Sequence, residues 1–357
     1  MNRKIIHCDA DCFFAAIEMR DDPSLRHLPM AVGGHSDRRG VISTCNYAAR
    51  EYGVHSAMAS AHALRLCPDL VIVPGNMDKY RDAAQVMRDI FHDYTDLVEP
   101  LSLDEAFLDV SACEQHHGSA TLIAQEIRQR IFDSIQITVS AGVANCKFLA
   151  KIASDWRKPD GLFVVHPNEA AEFVKTLPVK KLNGVGKVTA NKLHTLNIHT
   201  CGDILQWTLL ELNQHFGSFG KRLYELARGI DTRPVKPNRI RKSLSVEHTY
   251  PNDLPNLLSC KNQLPDLLVE LRRRVSKLDD KYRVSKAFVK VKFNDFSSTT
   301  LERVGTAARI SDYQQMLEQA LERSQLPVRL LGIGVRFFNI DADDAPTQLE
   351  LFPNVPP

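Results

Sequence analysis

The stretch LSLDEAFLDV, residues 101–110, decides how the fold and the chemistry of this chain are interpreted. Its apolar residues are typical of a buried strand, yet Asp104 and Glu105 stand side by side within it. A buried carboxylate without a partner is costly, so such acids bind a cation or become protonated. Neighbouring residues on a regular strand face opposite ways, so both acids serve one site only if the backbone turns or bulges. We therefore predict a hairpin over 98–110 with a distorted backbone at 103–106.

A second pair of acids, Asp9 and Asp11, follows a short strand predicted at 4–8. Carboxylate oxygens are the ligands that hard cations such as Mg²⁺ and Mn²⁺ prefer. Two divalent ions roughly 3.5–4 Å apart form the usual clamp for in-line phosphoryl transfer. The two acid pairs, with Asp109 beyond them, therefore favour a two-metal site. The alternative, that these acids form surface ion pairs with Lys or Arg, stays open because spacing does not show that the segments meet.

Such a site also needs cations for the phosphates of its substrate. Arg50 in NYAAR (46–50) and Lys158 in SDWRKPDG (154–161) are the candidates. Fixed cations stabilise the charge that develops on phosphates during transfer. A solvated surface charge is the alternative at each position.

Periodicity predicts the surrounding architecture. Helices are predicted at 12–20, 80–91, 121–132 and 146–155, two strands within 29–45, and a buried strand at 137–144. This mixed order indicates an α+β domain with helices on one face of a sheet. Residues 167–229 are mostly helical, and 243–338 return to strand and helix patterns. Between them, residues 231–242 carry two prolines and five basic residues, which is typical of a linker.

Composition, with 44% hydrophobic and 25% charged residues, is that of an ordinary globular protein, and 357 residues suffice for two to four domains. The net charge is only +2, but residues 231–310 hold 17 Lys and Arg against 9 Asp and Glu, so this part could face a polyanion. The eight cysteines form no CxxC pair, which favours reduced cytosolic thiols over disulfides or structural zinc. The N-terminus reaches two carboxylates within eleven residues, which is unlike a signal peptide, and no apolar run approaches membrane-spanning length.

Five motifs together resemble a known family. They are HCDADCFFAAIE, CNYAARxYGV, EPLSLDEAFLDV, AGVANCKFLAKIASDWRKPDG and LNGVGK, in this order. Over roughly residues 4–340 the chain resembles the Y-family DNA polymerases of the bacterial DNA polymerase IV type. The resemblance implies an α+β multidomain fold, a right-hand polymerase with palm, fingers and thumb plus a C-terminal little-finger domain. It assigns 1–10 and 76–165 to the catalytic palm, 11–75 to the fingers, 166–230 to a helical thumb with a helix-hairpin-helix, 231–242 to the basic linker, 243–340 to the DNA-binding little finger and 341–357 to a flexible tail.

The resemblance also assigns the active site. Asp9, Asp104 and Glu105 match the ligands of two Mg²⁺ ions (Mn²⁺ as a substitute), with the backbone carbonyl of Ala10, and Glu105 is also assigned to catalysis. Tyr47, Arg50 and Lys158 match the grip on the triphosphate, and Thr44, Phe13 and Phe14 join the nucleotide-binding set. Phe14 matches a steric gate whose bulk rejects the 2′-hydroxyl of ribonucleotides, while Phe13 is expected to be core. Asp11 is expected to support the loop, and Trp156 either packs near the nucleotide or caps the palm.

DNA contacts are expected in two places. Gly184 and Gly186 of LNGVGK let backbone amides approach a phosphate, with Lys187 opening the next helix, although a plain turn is the alternative. In KAFVKVKF (286–293), one strand face carries basic residues suited to backbone contact, with Phe288 on that face too. The basic residues are Lys286, Lys290 and Lys292. The alternative is a solvated edge strand protected by lysines.

The tail peptide QLELF (348–352) resembles the bacterial sliding-clamp-binding motif. The clamp-binding residues would be Gln348, Leu349, Leu351 and Phe352.

The expected function is low-fidelity, template-directed DNA synthesis in translesion synthesis, without a proofreading exonuclease. The expected partners are primer–template DNA, deoxynucleoside triphosphates and the sliding clamp, with no membrane, and the chain is expected to be a monomer in the bacterial cytoplasm. One alternative is a catalytically inactive, DNA-bound, clamp-associated scaffold, against which the intact acids and cations argue. Another is a different two-metal nucleotidyl enzyme, such as a cyclase on a similar palm, which would not need the GVG hairpin, the basic last domain or the tail motif.

Overall fold

The computed structural model describes residues 3–279, 281–305 and 309–338. The chain forms two compact units. Unit 1 comprises Gly40–Asn238 with the N-terminal residues up to His35, and unit 2 begins at Arg239 and also includes Ser36–Arg39. Within these described ranges, no helix is both long and apolar enough to cross a membrane.

Unit 1 mixes strands and helices in its first part and is helical in its last part. Its strands are β1 (Ile5–Ala10), β2 (Met30–Gly33), β3 (Ile42–Cys45), β4 (Val71–Val73), β5 (Val98–Pro100), β6 (Glu105–Asp109), β7 (Val139–Ala144) and β8 (Leu162–Val164). Its helices are α1 (Phe13–Asp21), α2 (Tyr47–Glu51), α3 (Ser60–Leu66), α4 (Met77–His92), α5 (Ala120–Ile135), α6 (Lys147–Trp156), α7 (Ala170–Lys175), α8 (Lys187–Thr195), α9 (Cys201–Ile204), α10 (Leu209–Phe216) and α11 (Phe219–Leu226). The helices and strands predicted from periodicity are present, with ends shifted by a few residues.

A five-stranded sheet in the order β5-β6-β1-β7-β8 forms the centre of unit 1. Its middle strand, β1, pairs antiparallel with both β6 and β7. The helix α5 packs onto this sheet because its isoleucines at a spacing of four, Ile123, Ile127 and Ile131, are fully buried. The sheet therefore holds β1 rigidly between two neighbours, and the acids at the end of β1 share that rigidity.

The hairpin predicted at 98–110 is confirmed, since β5 and β6 pair antiparallel. The predicted distortion is confirmed as well. Residues 101–104 form consecutive bends, and β6 begins only at Glu105. The amide of Ala10 donates a hydrogen bond to the carbonyl of Asp104 at 2.9 Å, which fixes the bend against the end of β1.

A smaller sheet, β3-β2-β4, carries α2 and α3 around its own apolar cluster. Asn46 anchors the start of α2. Its side-chain oxygen accepts hydrogen bonds from the amides of Ala49 at 3.0 Å and Met30 at 3.1 Å. This cap satisfies amides that a helix start leaves free, and it fixes the direction in which α2 leaves the sheet.

The segment predicted as a linker, 231–242, contains no helix or strand, but its first part is held against unit 1. The side chain of Asp231 is fully buried and accepts hydrogen bonds from Arg233 at 2.8 Å and from the amide of Phe148 at 3.1 Å. Burial alone would raise the pKa of Asp231, but hydrogen bonds from Arg233 and Arg222 lower it to about 2, so the carboxylate stays charged. Val235 joins the apolar core. Composition therefore does not distinguish this anchored part from a free linker.

Unit 2 consists of β9 (Ser243–Leu254), α12 (Leu257–Lys261), α13 (Leu264–Val275), β10 (Val284–Phe293), β11 (Ser298–Val304), α14 (Ile310–Leu321) and β12 (Val328–Phe337). Its sheet has the order β11-β10-β12-β9, and the helices α13 and α14 contact it. Along β10 the alternation is confirmed: the buried residues are Ala287, Val289, Val291 and Phe293. Since β10 has neighbours on both sides, the interpretation of its lysines as protection of an edge strand is wrong.

Candidate functional site

A cavity of about 300 Å³ opens in unit 1 where β1 ends and α1 begins. Residues from several elements line it: Asp9, Ala10, Cys12, Phe13, Phe14, Ser43, Thr44, Arg50, Ser56, Asp104 and Lys158. Most of the predicted metal and nucleotide residues thus surround one space. Cys12, Ser43 and Ser56 are wall residues that the sequence reasoning did not identify.

Asp9 lies one residue before the end of β1, and its side chain is only 18% exposed. Burial raises the pKa of Asp9 to about 6, and the nearby ammonium of Lys158 only partly opposes this rise. The Nζ atom of Lys158 donates to Oδ1 of Asp9 at 2.5 Å. A carboxylate that burial destabilises gains strongly from a cation, so this position is suited to a metal ligand.

Asp104 and Glu105 approach Asp9 from the hairpin in different ways. Asp104 lies in the bend, where its Oδ1 accepts a hydrogen bond from the Ser102 hydroxyl at 2.5 Å. Glu105 begins β6 directly opposite Asp9 in the strand register. The change of backbone direction between the two hairpin acids lets Asp104 line the cavity while Glu105 lies beside Asp9.

Glu105 is hydrogen-bonded to two side chains that the sequence reasoning missed, His7 and Lys151. Nε2 of His7 lies 3.2 Å from Oε2 of Glu105, and Nζ of Lys151 donates to the same oxygen. Burial alone would raise the pKa of Glu105, but the hydrogen bonds from His7 and Lys151 lower it to about 2. Glu105 therefore stays ionised over the whole range in which an enzyme works.

His7 is fully buried, and this burial lowers its pKa to about 4, so it is neutral at pH 7. Its Nδ1 lies 2.8 Å from the Ser154 hydroxyl. Ligand atoms of His7, Asp9 and Glu105 all lie within 4.8 Å of one another, a spacing that suits one divalent cation. Because Nε2 of His7 is hydrogen-bonded to Glu105, the carboxylates of Asp9 and Glu105 are the groups of this set that can bind such an ion.

The predicted phosphate grip is also partly assembled. Arg50 and Lys158 line the cavity, and Arg50 stacks 4.6 Å above the ring of Tyr47. Tyr47 does not line the cavity, although its hydroxyl donates to Asp11 at 3.3 Å. Tyr47 and Arg50 share one face of α2 because they are three residues apart. Thr44 lines the cavity from β3.

Asp11 supports the loop, as expected, and does not line the cavity. It is 1% exposed, and its carboxylate accepts hydrogen bonds from the hydroxyls of Thr138 at 2.9 Å and Ser140 at 2.8 Å, and from the amide of Asp160 at 2.8 Å. Asp109 lies at the far end of β6, opposite Ile5. The structure therefore does not place Asp109 in the acid cluster.

The two phenylalanines at the start of α1 differ as predicted. Phe13 is 2% exposed and belongs to the core, although it also touches the cavity. Phe14 is half-buried and stacks on Tyr80, with ring centroids 4.2 Å apart and an angle of 14° between the planes. The hydroxyl of Tyr80 donates to Glu18 at 2.6 Å, which fixes the ring beneath Phe14. A planar, supported aromatic wall is what a steric gate requires.

Trp156 lies on α6 and contacts Phe163 and Phe173, with ring centroids 5.8 Å and 5.0 Å away. It does not line the cavity. This favours the interpretation that Trp156 caps the palm.

In the LNGVGK hairpin, Gly184 has a backbone conformation that requires glycine, whereas Gly186 is extended. Gly184 has φ +93°, and a Cβ there would lie 2.9 Å from the ring of Phe219. Gly186 precedes α8, and Lys187 is its first residue. Around Gly186 there is open space, so a ligand backbone has room to approach.

The lysines of β10 are on the exposed face, but two of them are already paired. Lys290 binds Glu247 at 2.9 Å, and Lys286 lies 3.8 Å from Glu302. Lys292 lies over the ring of Phe296. The predicted clamp-binding residues 348–352 lie outside the described residues.

Models of known protein families match three parts of the chain. A model described as the impB/mucB/samB family matches residues 8–155, one described as "DNA polymerase-iota, thumb domain" matches 180–231, and one described as the impB/mucB/samB family C-terminal domain matches 241–351. The second match coincides with the helical end of unit 1 and the third with unit 2.

Curated relatives match over nearly the whole chain. DNA polymerase IV of Ectopseudomonas mendocina (strain ymp) is 60% identical over 350 residues, covering 98% of this chain and 99% of the relative. DNA polymerase IV of Pseudomonas fluorescens (strain Pf0-1) has the same identity and coverage.

Solved structures give the same result. A Y-family DNA polymerase chimera of Dbh and Dpo4 has a TM-score of 0.85 and 28% identity, covering 93% of this chain and 98% of that one. An insertion ternary complex of Dbh DNA polymerase has a TM-score of 0.68 and 27% identity, covering 94% of this chain and 99% of that one.

Proposed function

Because this chain belongs to the Y-family DNA polymerases, we propose that its cavity next to Asp9 and Asp104 is where a primer 3′ end is extended by two-metal nucleotidyl transfer. The chain is a template-directed DNA polymerase of the low-fidelity, translesion class. The inactive scaffold is not supported. The observation that carries the mechanism is the convergence of three acids and two cations on one cavity and its edge.

Y-family polymerases depend on metal ions, and we propose Mg²⁺, with Mn²⁺ as a substitute. Asp9, Asp104, Glu105 and the carbonyl of Ala10 would hold the ions. When bound, such ions activate the primer oxygen and neutralise charge on the phosphates. His7 and Lys151 orient Glu105 and keep it ionised, which prepares it as a ligand.

The remaining wall residues act on the nucleotide. Arg50 and Lys158 would hold the triphosphate, because fixed cations in a half-buried cavity stabilise its charge at little cost in reorganisation. Tyr47 holds the Arg50 side chain in place by stacking. Phe14, supported by Tyr80, would lie against the sugar and exclude a 2′-hydroxyl.

Primer–template DNA and deoxynucleoside triphosphates would be the substrates, as the polymerase names of its relatives suggest. We assign DNA backbone contacts to Gly184, Gly186 and Lys187 and to the lysine-bearing face of β10. The tail motif at 348–352 would bind the sliding clamp. We also propose that the chain acts as a monomer in the bacterial cytoplasm, where these substrates are found.

Primer extension tests the mechanism. The native chain, a primed template, four deoxynucleotides and Mg²⁺ should give extended primer, whereas Asp104→Ala should give at least a hundredfold less. Asp109→Asn is the matched control, since Asp109 lies at the far end of β6. Full extension by Asp104→Ala with retained DNA binding would remove Asp104 from the metal site.

A further inference from the structure

The exposed face of the unit 2 sheet is a regular array of side chains, set by the strand register. Across β9, β12, β10 and β11, the rows are Ser243–Arg336–Lys286–Val304, Ser245–Gly334–Phe288–Glu302, Glu247–Gly332–Lys290–Thr300 and Thr249–Leu330–Lys292–Ser298. The array therefore contains four cations and two carboxylates, and its other members are uncharged. The helices α13 and α14 contact the sheet, and the side chains that alternate with this array are buried.

Each carboxylate of this array forms ion pairs with cations of the same array. Both oxygens of Glu247 accept hydrogen bonds from Nζ of Lys290, at 3.0 and 2.9 Å. Glu302 accepts from Nε of Arg336 at 2.6 Å and lies 3.8 Å from Nζ of Lys286. Three of the four cations that this face offers to a polyanion are thus already engaged.

A glycine of β12, Gly332, leaves room for the ion pair between Glu247 and Lys290. Glu247 is on β9 and Lys290 is on β10, so their ion pair crosses β12 directly above Gly332. A Cβ at Gly332 would lie 2.8 Å from Cγ of Glu247, and one at Gly334 would lie 2.3 Å from Cζ of Phe288. Gly332 therefore leaves the space that the Glu247 side chain occupies, whereas the space above Gly334 is filled by the ring of Phe288.

We infer that Glu247 and Glu302 attenuate DNA binding by this face. The inference rests on the proposed role of the β10 lysines in binding the DNA backbone. A phosphate must displace a carboxylate before it gains the full charge of Lys290, Lys286 or Arg336, and the remaining carboxylate repels the DNA. The face keeps an excess of two positive charges, which is enough for attraction but weakens the grip. A polymerase with such a face would release and rebind its template readily.

The test is the affinity for DNA of Glu247→Gln, Glu302→Gln and the double variant. A fluorescent primer–template duplex is titrated with full-length protein, and anisotropy is measured from 50 to 200 mM KCl. Exposed ion pairs contribute little each, so each single variant should bind about two- to fivefold more tightly and the double variant about tenfold at low salt. The slope of log K against log salt should steepen by about 1 for each added phosphate contact.

The matched control is Glu318→Gln. Glu318 is also an ion-paired glutamate, bound to Lys261, but it lies on α14 and is not part of the array. Its affinity should equal that of the native chain. Thermal melts show whether each variant is folded.

Unchanged affinity in the double variant would overturn the inference. Weaker binding would also overturn it, because the carboxylates would then serve to hold the lysines in a binding position. Primer extension by the native chain is measured separately. If the native chain extends primers and the affinities do not rise, only this inference fails, whereas absence of extension by the native chain rejects the proposed function itself.

Discussion

The replacement Asp9→Asn should stabilise the protein while it abolishes metal binding. The Asp9 carboxyl has an ordinary pKa of 3.8, which the fold raises to about 6, chiefly through burial. A pKa raised from 3.8 to about 6 corresponds to roughly 3 kcal/mol, and this value already includes the attraction of Lys158. The folded state therefore favours a neutral side chain at this position, and asparagine supplies one of the same shape.

The sign of this stability change follows from the linkage between protonation of Asp9 and folding. Since the pKa is higher in the folded state, the stability contributed by protonated Asp9 is fully present below pH 3.8 and is lost as the pH rises through about 6. At pH 7 the native chain lacks this contribution and the asparagine variant retains it. We expect the variant to be more stable by about 2 to 3 kcal/mol at pH 7, and the difference to shrink as the pH falls below 6 and to vanish below pH 3.8.

Thermal unfolding followed by circular dichroism measures this effect. For a unit of about 230 residues, 1 kcal/mol shifts Tm by roughly 2–4 °C, so Tm should rise by about 4–12 °C at pH 7. Added Mg²⁺ should raise Tm of the native chain but not that of the variant. The exposed Asp82 on α4 provides the control, Asp82→Asn, for which Tm should hardly change. An unchanged or lower Tm of Asp9→Asn at pH 7 would refute the reasoning that burial destabilises this carboxylate.

Two further perturbations address the substrate and a partner. Phe14→Ala should increase ribonucleotide incorporation by at least tenfold with little change for deoxynucleotides, as measured by single-nucleotide insertion with each substrate, and an unchanged ratio would reject the steric gate. Removal of residues 348–357 should leave basal extension unchanged and abolish its stimulation by the sliding clamp, and stimulation that persists would reject the tail as the main tether.

The distortion at 103–106 was predictable from two residues because it follows from geometry alone. Asp104 and Glu105 are neighbours, and neighbours on a regular strand cannot face one site. The alternation along β10 was predictable for the same reason, since Val289 and Val291 show the period of two.

The residues that hold Glu105 were harder to predict. His7 had a signal, because it lies two residues before Asp9 and so faces the same side of β1. Lys151 had no such signal, because its contact with Glu105 depends on how α6 docks against the sheet.

The burial of Asp231 could not be predicted from the sequence for a similar reason. Its partners Arg222 and Phe148 are 9 and 83 residues distant, and the composition around it is that of a flexible segment.

The two halves of the proposed metal site differ in how they are built into unit 1. Asp9 is on the central strand of the sheet, hydrogen-bonded on both sides, and such strands exchange their amide protons only when the whole domain unfolds. Asp104 lies in a bend outside the strand pairing, and loop segments with few backbone hydrogen bonds open at a lower free energy than a central strand. The rates at which an ion binds and leaves would then depend on small movements of residues 101–104, while the Asp9 carboxylate stays in place.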